Sequence, residues 1–159
     1  MKLVAVRDLD DLCRRAASAP RGRAHLALHA GNDDPVQRFF VAFEQRSYLR
    51  PHRHRSNAEL ATIVRGRFDL LVFDDAGVVL SRDAAGIDAP NIACETAADT
   101  WHTLVAGIDG SVILEVKQGP YDPALAAQFA PWAPPEGDTA APMFQAWLRR
   151  AQPGDRAPS

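Results

Sequence analysis

The sequence predicts one all-β barrel or sandwich, flanked by a short helix at each end, and three observations carry that expectation. From Ala24 to about Lys117 the chain runs in short apolar or alternating stretches, which have the length and period of strands. Turn residues separate them, as in Val64-Arg65-Gly66-Arg67, Asp74-Asp75-Ala76-Gly77 and Ile108-Asp109-Gly110. A glycine in such a joint can take the positive φ that a tight hairpin demands. The 159 residues also amount to one domain with a single sizeable core.

The elements follow in order. Val6, Leu9, Leu12, Cys13 and Ala16 recur at helical spacing, so a helix is expected over Val6–Ala17. Asp8 is its expected N-cap, and Pro20 with Gly22 stops it. Strands are expected over Ala24–His29, Val36–Phe43, Tyr48–His54, Glu59–Val64 and Arg67–Phe73. Four more should follow at Val78–Ser81, Ile92–Glu95, Trp101–Ala106 and Ser111–Lys117. Beyond Pro120 the chain is proline-rich, a second helix is expected over about Pro142–Arg149, and Gln152–Ser159 reads as a loose tail. The organisation is thus a helical segment (1–18), a barrel (19–120), an extension with a helix (121–150) and a tail (151–159), with no internal repeat.

Composition narrows the function. Eighteen basic residues against twenty acidic ones leave a net charge of −2, no field for a phosphate backbone, so nucleic acid is not an expected partner. No apolar run approaches the roughly 20 residues of a bilayer span, and the acidic positions Asp8, Asp10 and Asp11 interrupt any leader-like stretch. A cytoplasmic protein without membrane contact is expected. Cys13 and Cys94 stand alone, which speaks against a disulfide framework or a cysteine-rich zinc site.

Chemistry concentrates in Arg50-Pro51-His52-Arg53-His54. Residues i and i+2 of a strand share a face, so His52 and His54 can converge on one point. Glu59 opens the next apolar run and can add an oxygen from a neighbouring strand, while His102 arrives from a strand far along the chain. Three nitrogens and one carboxylate make a half-shell with open positions, the arrangement of a working rather than a purely structural metal site. Such a shell suits Fe, Mn, Ni, Co or Zn as one divalent ion, and ligand type does not choose among them.

The ordered set of His-x-His, Glu59, Gly66 and a later Trp-His resembles the cupin pattern. Closer still, Arg50-Pro-His-Arg-His54, Thr100-Trp-His-Thr-Leu104, Glu115-Val-Lys-Gln-Gly-Pro-Tyr-Asp-Pro123 and Phe129-Ala-Pro-Trp-Ala-Pro134 resemble the WbuC family of cupin-fold metalloproteins. Pro20-Arg-Gly-Arg-Ala-His-Leu-Ala-Leu-His29 and Val36-Gln-Arg38 match as well, so the likeness spans about Ala19 to Leu148. It implies a cupin double-stranded β-helix, or jelly-roll barrel, that binds metal and is often encoded near polysaccharide (O-antigen) biosynthesis genes. The chain departs from the general cupin pattern at Arg46, where glycine is usual, and at Ala97 and Asp99, which replace the proline and glycine of Pro-x-Gly-x-x-His. None of these removes a ligand, and Asp tolerates left-handed backbone better than most residues.

Around the centre, Glu115 and Lys117 share a strand face opposite Val112, Leu114 and Val116. That face is either solvated or part of the barrel mouth. In the second case Glu115 is a candidate catalytic proton carrier and Lys117 an anchor for an anionic substrate, with Arg38 and Arg50 as further substrate-binding candidates. Tyr48 is in phase with His52 unless Pro51 bends the strand; Trp101 should point away into the core, and Tyr121 is expected to cap a turn. His25 and His29 lie on one face and stay outside the expected metal shell. The expected function is a metal-dependent enzyme, an isomerase, lyase or oxygenase, acting on a small polar molecule such as a sugar or sugar-nucleotide intermediate. The rivals are a non-catalytic ligand-binding module and a metal-free isomerase-like cupin. A homodimer is expected to bury an open sheet edge.

Overall fold

The computed structural model describes residues 1–124 and 126–158. Helix α1 (Val6–Ser18) leads into β1 (Arg23–Ala27), β2 (Val36–Phe43), β3 (His52–Arg53), β4 (Glu59–Arg65) and β5 (Arg67–Phe73). Then come β6 (Val79–Gly86), β7 (Ala93–Thr96), β8 (Trp101–Ala106), β9 (Ser111–Gln118), β10 (Gln128–Phe129) and α2 (Ala141–Leu148). The strands form two five-stranded antiparallel sheets, ordered β1-β2-β9-β4-β7 and β10-β3-β8-β5-β6. This is the double-stranded β-helix that the sequence predicts.

Side-chain alternation builds four layers from these two sheets. Between the sheets, Val41, Phe43, Ala61, Ile63, Phe68, Ala106 and Ile113 form the barrel core. On the outer face of the first sheet, Phe40, Ala42 and Val112 pack under Leu12 and Ala16 of α1. On the outer face of the second, Leu71, Phe73, Trp101 and Val105 pack against Ala130, Ala133, Phe144, Trp147 and Leu148. The C-terminal extension is therefore a structural layer.

Four expectations change. The cap of α1 is Ala5, not Asp8; Asp8 sits in the first turn and its carboxylate accepts the Ala5 N–H at 2.7 Å, an acid placed well for the helix dipole. Val6 is exposed, so the buried stripe begins at Leu9. The expected strand Tyr48–His54 shrinks to two residues because Pro51, fully buried, has no N–H to give a ladder. Tyr48 accordingly leaves the phase of His52 and joins the outer core, its hydroxyl donating to the Pro134 carbonyl at 3.0 Å. The tail is not loose: Gly154 N–H bonds Val79 O, Val79 N–H bonds Asp155 O and Ala157 N–H bonds Gly77 O, at 2.8–2.9 Å. Ser159, the last residue of that expected tail, lies outside the described residues.

Gly66 joins β4 to β5 at φ +74°, as its hairpin role demands. A Cβ there would lie 2.9 Å from Ser111 Cα and nearer still to Ser111 Oγ. That hydroxyl is buried and occupied, taking the Arg67 N–H and donating to Ile108 O at 2.8 Å. Gly66→Ala is expected to cost at least about 2 kcal/mol, combining left-handed strain with a backbone clash, as read by the midpoint of urea unfolding. An unchanged midpoint would contradict this tight hairpin.

Candidate metal centre

His52 on β3 and His102 on β8 are direct cross-strand partners, so their side chains leave the sheet side by side on one face. His54 follows two residues on and meets the same point. Ring centroids lie 4.5 Å (His52–His102), 5.1 Å (His52–His54) and 5.7 Å (His54–His102) apart. One ring nitrogen from each falls within 4.8 Å of the others, and all three residues are buried. Facing them from the first sheet, Glu59 places Oε2 2.9 Å from His54 Nε2 and Oε1 3.5 Å from His102 Nε2.

The tautomers are held from behind. Nδ1 of His52 lies 3.0 Å from Arg50 O, Nδ1 of His102 2.8 Å from Thr100 O, and Nδ1 of His54 against Ala126 O. A nitrogen facing a carbonyl carries the proton, which leaves each Nε2 lone pair aimed inward. The Nε2 atoms of His54 and His102 are buried and make no hydrogen bond among the described residues. Lone pairs facing carboxylate oxygens across such distances repel unless a cation lies between them. Burial, and next the neighbouring His102, pushes the His52 pKa down to about 3, so the ring stays neutral and competent as a ligand. The three histidines could hold a metal ion, and the orphaned nitrogens fit that use.

Asp99 explains how the altered second motif still serves. It adopts φ +62°, the conformation that the usual glycine would supply. Its N–H bonds the His54 carbonyl at 2.7 Å and its carboxylate pairs with Arg53 at 3.2 Å. Arg53 in turn lies 4.2 Å over the Trp101 ring, whose indole N–H donates to Asp75. One turn thereby fixes both histidine-bearing strands, and Trp101 is core as expected.

The centre opens into a cavity of about 450 Å³ lined by the inner faces of both sheets. Cross-strand register orders its floor in rows. Glu59, Lys117 and Gln37 stand abreast, and so do Ala61, Glu115 and Phe39. The inner face of β9 is therefore the barrel interior, which settles the choice for Glu115 and Lys117. Lys117 Nζ lies 2.6 Å from Glu115 and 3.4 Å from Glu59. Burial, and then the charge of Glu59, raises the Glu115 pKa to about 8 against the pull of Lys117. Burial works against the Lys117 charge, but Glu115 and Glu59 outweigh it and hold its pKa above the ordinary value.

Two expected substrate residues are elsewhere. Arg38 lies on the outer face of β2, between the inward Gln37 and Phe39, and pairs with Asp34 at 2.8 Å. Arg50 turns behind the wall once Pro51 breaks the strand; it donates to Ala130 O and lies over the Phe129 ring at 5.3 Å. Phe129 itself lines the cavity. Tyr121, expected to cap a turn, instead lines the mouth with His25, His29 and Asn32. Gln37 and Phe39 had one available signal, the alternation of β2, whereas nothing in the sequence marks the Ala126 carbonyl, a backbone oxygen 72 positions from its histidine.

A raised carboxyl pKa has a sign. Glu115 is protonated in the fold up to about pH 8 but ionises from about 4.5 when unfolded, so its contribution is whole below 4.5 and lost as pH rises toward 8. In EDTA-treated protein, the stability of Glu115→Gln relative to wild type is expected to climb between pH 4.5 and 8 and then level off. Urea unfolding across that range measures it, and a flat difference would refute the raised pKa.

Among the described residues no helix is long and apolar enough to cross a membrane. No curated protein matches the sequence. Solved structures share the fold at low identity. Protein SO0799 from Shewanella oneidensis is 9% identical, with 92% of this chain and 98% of that one covered at a TM-score of 0.59. An uncharacterized conserved protein with a double-stranded β-helix domain from Klebsiella pneumoniae is 11% identical, covering 82% and 97% at 0.57. KdgF from Halomonas sp. is 17% identical, covering 66% and 85% at 0.51. Residues 4–84 match a family described as a domain of unknown function, DUF6016, and over that half of its length the chain identifies itself as a member of the DUF6016 family.

Proposed function

We propose that this chain is a metal-dependent enzyme acting on a small polar molecule, with one divalent transition ion held by His52, His54, His102 and Glu59. The observation that carries the reading is the set of buried Nε2 lone pairs converging on a carboxylate, each imidazole oriented by a backbone carbonyl. An ion held there supplies Lewis acidity to a bound carbonyl or hydroxyl, or lowers the pKa of a bound water. Glu115 is placed beside the centre, on the cavity floor next to Lys117, to give a proton to a substrate atom and take it back. Lys117 sits within 2.6 Å of that carboxyl and steadies its ionised form. Phe39, Leu49, Leu104 and Phe129 wall the site and limit water. The resemblance to the WbuC family supports a sugar or sugar-nucleotide intermediate of polysaccharide biosynthesis as the substrate. The same reading includes a cytoplasmic homodimer, which sedimentation of the purified protein tests.

Elemental analysis of protein made without added metal, followed by turnover of a panel of sugars and sugar nucleotides, tests the proposal. About one ion per chain is expected, with turnover lost in EDTA, restored by the ion and abolished in Glu115→Gln. Ion binding without turnover on any panel member would favour a non-catalytic module. Absence of any bound ion would overturn the reading.

A further inference from the structure

The metal centre occupies only one end of the cavity. In the first sheet the strands run β1-β2-β9-β4, so β1 lies three strand spacings from the Glu59 strand, about 14 Å at 4.8 Å per strand. The row that begins Glu59, Lys117, Gln37 continues past the end of β1 to His29, because Leu28 N–H bonds Arg38 O and extends the pairing. His25 stands on the same inner face opposite Val41. The two imidazoles flank the Phe39 ring, at 5.8 and 6.1 Å between centroids, and Lys117 Nζ lies 5.4 Å over that ring from the other side of the row. A continuous floor thus leads from the metal end across Lys117 and Phe39 to a pair of histidines.

The two ends differ in the groups they leave free. Arg21, Arg23 and Lys117 face Glu59, Glu115 and Glu136 around the lining, so even with all three carboxyl groups ionised a divalent cation leaves the cavity positive. Both arginines are spent: Arg21 holds Glu136 through two bonds of 2.6 and 2.8 Å, and Arg23 pairs with Glu136 and donates to Tyr48 O. One positive charge thus stays bonded around Glu136, and a divalent ion with Lys117 against Glu59 and Glu115 leaves another, unbonded, at the metal end. At the β1 end the groups that remain are His25, His29, Asn32 and Tyr121. Burial, with Arg23 and Arg21 nearby, brings the His25 pKa down to about 4, and its ring makes no hydrogen bond among the described residues. His29 anchors Nδ1 against the Arg38 backbone at 2.9 Å and leaves Nε2 toward the cavity that Asn32 and Tyr121 also line. Imidazole and phenol groups beside a phenyl face suit hydroxyls on a carbon chain.

We propose that the ligand is an elongated hydroxylated carboxylate, its carboxylate at the metal and Lys117 and its hydroxylated end read by His25 and His29 over Phe39. This rests on the metal centre proposed above and adds the substrate class and two specificity-determining residues. The test uses Co(II)-loaded protein, with gluconate, sorbitol and oxalate as probes and the Co(II) visible spectrum and calorimetry as readouts. Gluconate carries both features, sorbitol lacks the carboxylate, and oxalate lacks the hydroxylated chain. Gluconate is expected to bind at least about tenfold more tightly than sorbitol. In His25→Ala/His29→Ala its affinity should fall at least about tenfold, while Co(II) and oxalate bind as in wild type. Gluconate binding no tighter than sorbitol, or a double variant that binds it unchanged, overturns this inference and leaves the metal centre standing. Failure of wild-type protein to take up Co(II) overturns the metal centre instead. Equal loss of oxalate and gluconate in the double variant would show disturbed folding of the floor, and His25→Asn/His29→Asn, which keeps hydrogen-bonding groups there, must then restore gluconate for the proposal to stand.

Discussion

His102→Ala is expected to empty the centre. His102 is the cross-strand partner of His52, and its Nε2 has no hydrogen bond to lose, so the change removes a ligand and little else from the ladder. Groups that merely orient a ligand cost about 10–100-fold in affinity when removed, and deletion of a ligand is expected to exceed about 100-fold. Wild-type protein at an ion concentration about 100 times its dissociation constant gains about 2.7 kcal/mol. For a chain of this size that gain raises the melting temperature by about 5–10 °C. Thermal scans with and without Zn(II) or Co(II) should show that rise in wild type and none in His102→Ala. A variant that keeps one ion per chain after dialysis would remove His102 from the shell.

Phe144→Ala is expected to be among the most damaging substitutions distant from the centre. Phe144 is 2% exposed, and its ring packs at 6.0 Å from Tyr48, 6.3 Å from Trp132 and 5.2 Å from Trp147. Emptying such a position costs about 3–5 kcal/mol, and the melting temperature should fall by about 6–20 °C. The result bears on the site as well, since the layer that Phe144 holds carries the segment whose Ala126 carbonyl orients His54 and whose Phe129 lines the cavity. Metal affinity is therefore expected to fall with stability. A loss below about 1 kcal/mol would show that the C-terminal layer is an appendage.

The sequence made most of the barrel legible because strands with one buried face write their alternation into the chain. Val36–Phe43, Arg67–Phe73 and Trp101–Ala106 appear at their expected bounds. The failures share a cause. At Tyr48–His54 a buried proline ended the ladder; at Gln128–Phe129 a two-residue strand was too short to show any period. Val79–Gly86 ran beyond its apolar start because its pairing with β5 holds polar residues too.

By itself the amino-acid sequence determined the strand periodicity, the left-handed positions at Gly66 and Asp99, and the i, i+2 spacing of His52 and His54, which His102 joins only through the pairing of β3 with β8. These are local or strictly periodic properties, and a linear pattern records them. Only the tertiary structure decided that Glu115 and Lys117 face inward, that Arg38 and Arg50 do not reach the cavity, and that His25 and His29 form its far end. Alternation divides a strand into two faces, but which face is interior depends on what covers the other. Here α1 covers the outer face of the first sheet, and that distant packing turned a charged strand face into the floor of a site.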